Sequence, residues 1–181
     1  FAAPFYFSQT TDSTKVTNIQ AVEFTKRTPT AKTIINVGKE LADKNLGQDL
    51  PILLKNQISV VSTSDAGNGI GYTGFRIRGT AGTSVNVMLN GVPYNDSESQ
   101  GTFFVNVPDL TSSASQIVIQ RGVGTSSNGV SAFGASVNVI SKDPSDEFSV
   151  KSDDSYGSFN TYKYSAEINS GKFWKNRLSV M

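Results

Sequence analysis

The chain has 181 residues, of which 37% are hydrophobic and 17% are charged, and its formal net charge is +1. This composition fits one or two ordinary domains and is too apolar for wholesale disorder, while the scattered lysines and arginines lack the pattern of a nucleic-acid binder. Cysteine and histidine are both absent, which excludes disulfides, imidazole metal sites and histidine-dependent catalytic triads.

The first 33 residues form two stretches of different composition. Residues 1–9, FAAPFYFSQ, fit equally the end of a secretory signal or an ordinary N-terminal stub. Residues 9–33 are rich in Thr, Ser, Asn and Lys, so we expect a flexible tether over residues 1–33. No apolar run approaches the roughly 20 residues of a membrane-spanning helix, so any membrane role would need strands or a partner.

Two short helices are predicted next. VGKELADKN (37–45) begins beside Gly38 and ends at an Asn-Leu-Gly sequence. LGQDLPILLKN (46–56) places Asp49 and Pro51 before an apolar run, which is typical of a helix N-terminus.

Strand patterns then dominate to about Lys142. Short β-branched runs bounded by Gly, Asn, Pro or Ser occupy residues 57–62, 72–79, 84–91, 116–122 and 136–142. Asn90-Gly91 is a strong hairpin signal, because both residues accept positive φ. We therefore predict an α+β domain over residues 34–143, with a small mixed sheet and short helices.

Residues 144–181 alternate differently. In FNTYKYSAEINSG, Tyr162, Tyr164, Ala166 and Ile168 alternate with polar residues, as in an antiparallel strand that crosses a bilayer or in a soluble hairpin with one wet face. A similar run precedes it, and Ser170-Gly171-Lys172 predicts a turn leading to Phe173 and Trp174, which suit a membrane-interface girdle.

Motifs for enzymatic chemistry are weak. QRGVGTSSNG (120–129) has Ser127 where a dinucleotide fingerprint needs its third glycine, and no P-loop Gly-Lys-Ser/Thr occurs. The densest acids have neither calcium-loop nor glycosidase spacing and indicate a solvated turn; they are Asp143, Asp146, Glu147, Asp153 and Asp154. We predict no catalytic residue, no metal site and no cofactor.

The ordered motifs together resemble a known family. LGQDLPILLKNQISVV, GNGIGYTGFRIRG, VNVMLNGVPYND, IVIQRGVGTSSNGVSAFGASVNVISK and YGSFNT are similar to the N-terminal plug of TonB-dependent outer-membrane receptors, running into the first strands of their transmembrane β-barrel. The resemblance covers roughly residues 20–170. The sequences NGVPYNDSESQG and QRGVGTSSNGVSAFGAS are most similar to those of receptors of the Bacteroidetes group. It implies a plug domain followed by incomplete barrel strands at 144–181, in the bacterial outer membrane.

The resemblance also suggests what the arginines do. Strand alternation predicts that Arg76 and Arg78 share one face, opposite Phe75 and Ile77. In the family, arginines matching Arg78 and Arg121 face two barrel-wall glutamates and lock the plug in place, and Arg76 is an auxiliary candidate. Val118 and Val123 stand where family members often carry Glu and Pro.

Two binding surfaces follow from the same resemblance. Loops 64–74 and 93–104 combine glycine, amides and aromatics, and they are the predicted ligand contacts, through Asn68, Tyr72, Tyr94, Asn95, Asp96, Gln100, Phe103 and Phe104. The predicted TonB-contact segment, residues 16–25, would be captured as an added strand through Val16, Ile19, Val22 and Phe24.

The expected function is that of a transporter plug and not of an enzyme. The resemblance implies that a scarce small-molecule or oligomeric ligand binds the extracellular loops and the plug apices, and that TonB then pulls on the N-terminal segment to open a path. The smallest closed barrel needs eight strands, so we expect the chain to be part of a longer protein whose own barrel is missing here. The alternative is a free-standing soluble ligand-binding or adhesion module.

Overall fold

The computed structural model describes residues 32–123, 132–158 and 160–172. Two short α-helices are present there, α1 (Val37–Glu40) and α2 (Leu50–Leu53). The strands are β1 (Lys32–Asn36), β2 (Val60–Ser64), β3 (Thr73–Ile77), β4 (Val85–Leu89), β5 (Val92–Pro93), β6 (Ala114–Arg121), β7 (Ala135–Ser141), β8 (Phe148–Tyr156) and β9 (Tyr162–Ser170). Single 3₁₀ turns occupy Ala42–Lys44, Gly82–Ser84, Phe104–Asn106 and Leu110–Ser113.

A five-stranded mixed sheet, in the order β1-β6-β7-β4-β5, organises the first part of the chain. β4 and β7 run parallel, whereas the other neighbours are antiparallel. β2 and β3 form a separate antiparallel pair. The predicted mixed sheet with short helices is therefore confirmed, and so is the turn between β4 and β5, where φ is 52° at Asn90 and 83° at Gly91.

One apolar core joins these elements. The alternating inward residues of the strands meet α1 and α2 in a single cluster, because each sheet face must bury its apolar side chains against another layer. The largest fully buried apolar side chains are Ile35, Leu50, Leu54, Ile77, Ile117, Ile119, Val85, Val87 and Val137.

β1 is the element that the sequence did not predict. It includes Lys32 and Thr33, which fell in the expected tether, and it pairs with β6 from Lys32↔Gln120 to Asn36↔Gln116. Within it Ile34 is 52% exposed while Ile35 is fully buried. The strand exists because a partner distant in sequence supplies its hydrogen bonds, and local pattern cannot reveal that pairing.

β8 and β9 form a long two-stranded hairpin paired from Phe148↔Ser170 to Tyr156↔Tyr162. The predicted alternation is confirmed, since Tyr162, Tyr164 and Ile168 are 78%, 73% and 61% exposed while Asn169 is 3% exposed on the other face. Phe173 and Trp174 lie outside the described residues. None of the helices in the described ranges is long and apolar enough to cross a membrane.

Candidate functional site

Arg121 ends β6 and connects three parts of the chain. Its Nε donates a hydrogen bond to the carbonyl oxygen of Ile58 (2.9 Å), and its Nη1 donates one to Oγ1 of Thr33 (2.7 Å). Ile58 precedes β2 and Thr33 lies in β1. The guanidinium therefore ties the edge of the large sheet to the start of the small one.

Arg78 lies beside the same place. It follows β3 with φ 55°, and its backbone N–H donates to the carbonyl oxygen of Ser59 (2.9 Å). Its Nη1 lies 3.0 Å from the point where a Cβ on Gly122 would stand. The structure thus brings the Arg78 head group next to the residue that follows Arg121, although the two arginines come from distant strands.

Arg76 and Arg78 are both exposed and alternate with the buried Phe75 and Ile77, but only Arg76 lies within β3. β3 ends at Ile77, and Arg78 follows it with a left-handed backbone. Arg76 does lie exposed opposite the buried Phe75 and Ile77. Neither Arg76 nor Arg78 takes part in the salt bridges found among the described residues.

The two glycine-rich loops meet in a groove. Its aromatic wall is formed by Tyr72, 67% exposed, and Phe103, 44% exposed. The remaining lining residues are Thr63, Asp65, Gly71, Thr73, Gly74, Thr102, Phe104 and Val105. Exposed aromatic rings beside hydroxyl, carboxylate and backbone groups can hold a small ligand by stacking and hydrogen bonds.

Asp49 anchors the Tyr72 loop, a role that the sequence did not indicate. The side chain is 1% exposed, and its Oδ2 accepts hydrogen bonds from the Gly71 N–H (3.0 Å) and the Thr73 hydroxyl (2.8 Å). Its backbone N–H donates to the Gly69 carbonyl oxygen (2.9 Å). The sequence placed Asp49 at the start of a helix, which is correct, but its carboxylate makes no capping bond to α2.

Two predicted ligand contacts are instead structural. Phe104 is 3% exposed and packs in the core, with its ring centroid 5.5 Å from that of Phe75. Asn95 uses its amide within the chain, accepting from the Val87 N–H (2.8 Å) and donating to the carbonyl oxygens of Val85 (3.0 Å) and Gln100 (2.8 Å). Because Phe104 is buried and the Asn95 amide is hydrogen-bonded within the chain, neither side chain offers much surface or hydrogen-bonding capacity to a ligand.

The other predicted ligand contacts shape the loops. Asn68 Oδ1 accepts the Ile70 N–H (3.0 Å), and Gln100 has φ 58°. Hydrogen bonds from the Ser99 backbone and hydroxyl hold the pKa of Asp96 below its usual range. Tyr94 is half-buried, whereas Asn68 and Asp96 are exposed. The exposed pair and the Tyr94 ring remain predicted contacts.

A polar contact joins β9 to the α+β domain. Lys163 Nζ lies 2.9 Å from Asp109 Oδ2 and donates to Ser112 Oγ (2.6 Å), while Asn45 Nδ2 donates to Asp109 Oδ1 (3.0 Å). Burial opposes ionisation of Asp109, but the hydrogen bonds from Lys163, Ser112 and Asn45 outweigh it and hold the pKa below its ordinary value. A second ion pair connects Lys142 to Glu167 (2.6 Å).

The TonB-contact candidates Val16, Ile19, Val22 and Phe24 lie outside the described residues. Within the described ranges, no group of three or more carboxylates is placed to hold a metal ion.

Comparison with known proteins gives one family. The model of the TonB-dependent receptor plug domain matches residues 25–136. No curated protein sequence matches the chain.

Solved structures share the fold at low identity. The alcaligin outer-membrane receptor FauA from Bordetella pertussis has TM-score 0.60 and 19% identity, over 83% of this chain and 24% of that one. The pyoverdine receptor FpvA from Pseudomonas aeruginosa PAO1 has TM-score 0.62 and 16% identity, over 82% and 20%. The FrpB iron transporter from Neisseria meningitidis has TM-score 0.60 and 19% identity, over 80% and 22%. The chain thus spans about a fifth to a quarter of the length of each.

Proposed function

We propose, since this chain belongs to the family of TonB-dependent receptor plug domains, that it closes the pore of an outer-membrane active transporter and opens when TonB delivers energy. The family membership is a property of residues 25–136. The transport activity, the ligand and the partners belong to the whole protein and are proposals. The amino-acid sequences of the motifs, above all NGVPYNDSESQG and QRGVGTSSNGVSAFGAS, further suggest a Bacteroidetes origin.

The observation that carries the proposal is the placement of Arg78 beside the Arg121-Gly122 turn. The Arg78 Nη1 lies 3.0 Å from the point where a Cβ on Gly122 would stand, so the Arg78 head group lies beside the residue that follows Arg121. No salt bridge among the described residues involves Arg78. Carboxylates on a surrounding barrel wall would complete the cluster, because an arginine fork binds carboxylates through paired, charge-assisted hydrogen bonds.

Such a lock would be strong when complete and costly when broken. Removing one partner of a desolvated ion pair costs about 3–5 kcal/mol, because the remaining charge stays buried and unpaired. Arg78 and Arg121 are the proposed lock residues. Arg76 remains an auxiliary candidate from its exposed position on β3.

The two faces of the β8–β9 hairpin support the proposal that a barrel wall surrounds the domain. The outer face of the hairpin carries six large apolar or aromatic residues, all at least 59% exposed, and also the exposed Ser152, Asp154, Ala166 and Ser170; the six are Phe148, Val150, Tyr156, Tyr162, Tyr164 and Ile168. Its inner face is polar and contacts the plug through Lys163 and Asp109. A mainly apolar outer face and a polar inner face are the arrangement of a strand pair between lipid and a filled lumen.

The groove between Tyr72 and Phe103 is the proposed plug part of the ligand site. The similar structures include receptors for alcaligin and pyoverdine and an iron transporter, so metal chelates of the siderophore class are the first ligands to test. TonB is the proposed partner of residues 16–25, through Val16, Ile19, Val22 and Phe24.

Uptake measurements test this function. The host strain, a strain lacking this gene and a strain lacking TonB would be given ferric siderophores, haem and cobalamin separately, with labelled metal. We expect uptake of one probe to require both the gene and TonB. Uptake that requires the gene but persists without TonB would contradict the proposal, as would loss of the gene with no effect on any probe.

A further inference from the structure

A second cavity adjoins the aromatic groove between Tyr72 and Phe103. Its volume is about 270 Å³, compared with about 240 Å³ for the groove. A pocket for a whole drug-sized ligand measures about 300–1,000 Å³, so each space fits one end of such a ligand and the two together fit the whole. The spaces adjoin because four residues line both of them: Thr63, Gly74, Thr102 and Phe104.

The two spaces differ in charge. Among the described residues, Asp65 is the one charged residue that lines the groove, and Arg76 is the one that lines the second space, which we call the Arg76 cavity. Its hydroxyl groups belong to Thr63, Thr83 and Thr102. An arginine binds a carboxylate through paired, charge-assisted hydrogen bonds, and hydroxyl groups can donate to the same oxygens. The Arg76 cavity therefore suits a singly charged carboxylate.

The fold fixes the backbone of Arg76 and leaves the residue accessible. Arg76 pairs with Val61 in the β2–β3 ladder, and the preceding Phe75 is 5% exposed with its ring against Phe104 in the core. Arg76 itself is exposed, and it takes part in none of the salt bridges found among the described residues. Its charge is therefore available to an anion from outside this part of the chain.

Thr102 offers a hydroxyl that can adapt to a bound anion. Its Oγ1 is buried and has no hydrogen-bond partner within the described part of the chain, whereas nearly all buried polar atoms in proteins have one. A rotation about χ1 moves Oγ1 to another staggered position and breaks no hydrogen bond with the described residues. A carboxylate in the Arg76 cavity would accept a hydrogen bond from the rotated hydroxyl.

We infer that the Arg76 cavity is an anion subsite of the ligand site: it binds a carboxylate of the ligand, while the groove binds an aromatic or other flat apolar part. The inference rests on the proposed function, in which the groove is the plug part of the ligand site. It assigns Arg76 to the ligand and leaves the lock to Arg78 and Arg121. Asp65 repels a second carboxylate at the groove end, so the opposite charges give the ligand one orientation.

Fluorine NMR on the full gene product in a lipid bilayer tests the subsite. The probes are para-fluorobenzoate and para-fluorobenzamide, which share the ring and differ in charge. We expect the benzoate to bind more tightly than the amide, and Arg76→Gln to weaken the benzoate by about tenfold or more with little change for the amide. Arg76→Lys keeps the charge but loses the planar fork, so it should keep part of the preference.

The matched control is Lys39→Gln, which removes one positive charge from an exposed position in α1 that lines neither space and should leave both affinities unchanged. Three results would overturn the inference: no binding of the benzoate, equal affinity for the two probes, or benzoate binding that survives Arg76→Gln. An equal loss of both affinities in Arg76→Gln would also overturn it, because the arginine would then support the structure and not the anion.

Thr102→Val gives a second readout. The change keeps the shape of the side chain and removes the hydroxyl, so the benzoate should bind about threefold to tenfold more weakly. The denaturant midpoint should stay the same or rise, since the hydroxyl that is lost was buried and unpaired within the described residues. A lower midpoint with unchanged affinity would contradict this role of Thr102.

The binding experiment is independent of transport. Probe binding needs neither TonB nor uptake, so failure of the uptake experiment alone would contradict the proposed function and leave the subsite standing. Failure of the probes to distinguish Arg76→Gln from the unchanged protein would remove the subsite and leave the transport proposal to the uptake experiment.

Discussion

Lys163 and Asp109 join the hairpin to the plug through an ion pair of 2.9 Å, with the Lys163 side chain 12% exposed and that of Asp109 30% exposed. Asp109 has φ 50°, a left-handed conformation that an aspartate adopts more readily than most residues. The contact matters because it connects the element proposed to face lipid with the element proposed to move.

Charge reversal tests this ion pair. Asp109→Lys or Lys163→Glu should each weaken the attachment of β9 by about 1–2 kcal/mol, and the swapped double variant should recover part of the loss. The measurement is amide hydrogen exchange of β9 in the full gene product. Lys172→Glu is the control, because the Lys172–Asp146 pair is 43% and 72% exposed and should contribute little. Equal effects of Lys163→Glu and Lys172→Glu would refute the prediction.

The same contact should depend on pH. The folded pKa of Asp109 lies below its ordinary value of 3.8, so the folded state favours the ionised form. The resulting stabilisation is present above the unfolded pKa and is lost as the pH falls through the folded pKa. After correction for intrinsic exchange, we expect the amide protection of β9 to decrease as the pH is lowered past about 4. The part of this decrease that is due to protonation of Asp109 should be absent in Asp109→Asn. An identical pH profile in the variant would be inconsistent with this role.

Asp49 should control the order of the Tyr72 loop. Asp49→Ala removes the buried acceptor of the Gly71 N–H and the Thr73 hydroxyl, which should cost about 1–3 kcal/mol and speed amide exchange at both residues. Asp65→Ala is the control, since Asp65 is exposed in the same loop. If exchange at Gly71 and Thr73 responds no more to Asp49→Ala than to the control, the anchoring role fails.

Gly134 should tolerate no side chain. A Cβ there would collide with the Thr80 hydroxyl and lie 2.7 Å from Thr80 Cβ, so Gly134→Ala should lower the free energy of unfolding of the plug by about 1–3 kcal/mol. In α1, Gly38→Ala meets its nearest atom at 3.8 Å and should be neutral or stabilising. Denaturant unfolding compares the two variants in the full gene product. The prediction is wrong if they unfold alike.

Substitutions in the aromatic groove should affect ligand affinity and stability separately. Tyr72→Ala and Phe103→Ala remove exposed rings, so ligand affinity should fall by about fivefold to tenfold while stability changes little. Phe104→Ala removes a buried ring and should cost about 3–5 kcal/mol of stability. Titration with the chelate identified by uptake, paired with denaturant unfolding, distinguishes the two effects. Unchanged affinity in both Tyr72→Ala and Phe103→Ala would remove the groove from the ligand site.

The local sequence pattern predicted most of the strands and the β4–β5 turn. Strand preference in β-branched runs and the positive φ of Asn90-Gly91 are properties of those residues themselves, so they can be recognised without knowing the tertiary structure. The pattern failed where a distant partner decides the outcome. β1 depends on pairing with β6, from Lys32 to Gln120, and the role of Asp49 depends on contacts in the Tyr72 loop. The sequence pattern also did not predict the left-handed backbone of Arg78, which follows the last residue of β3.

We propose that Arg78 and Arg121 hold the plug against acidic residues of a surrounding barrel wall. The most direct test is an experimental structure of the full gene product in a lipid bilayer, with the distance measured from each guanidinium to the nearest carboxylate oxygen. We expect glutamates or aspartates of the barrel about 2.7–2.9 Å from both arginines. Carboxylates farther than about 6 Å from both would contradict it.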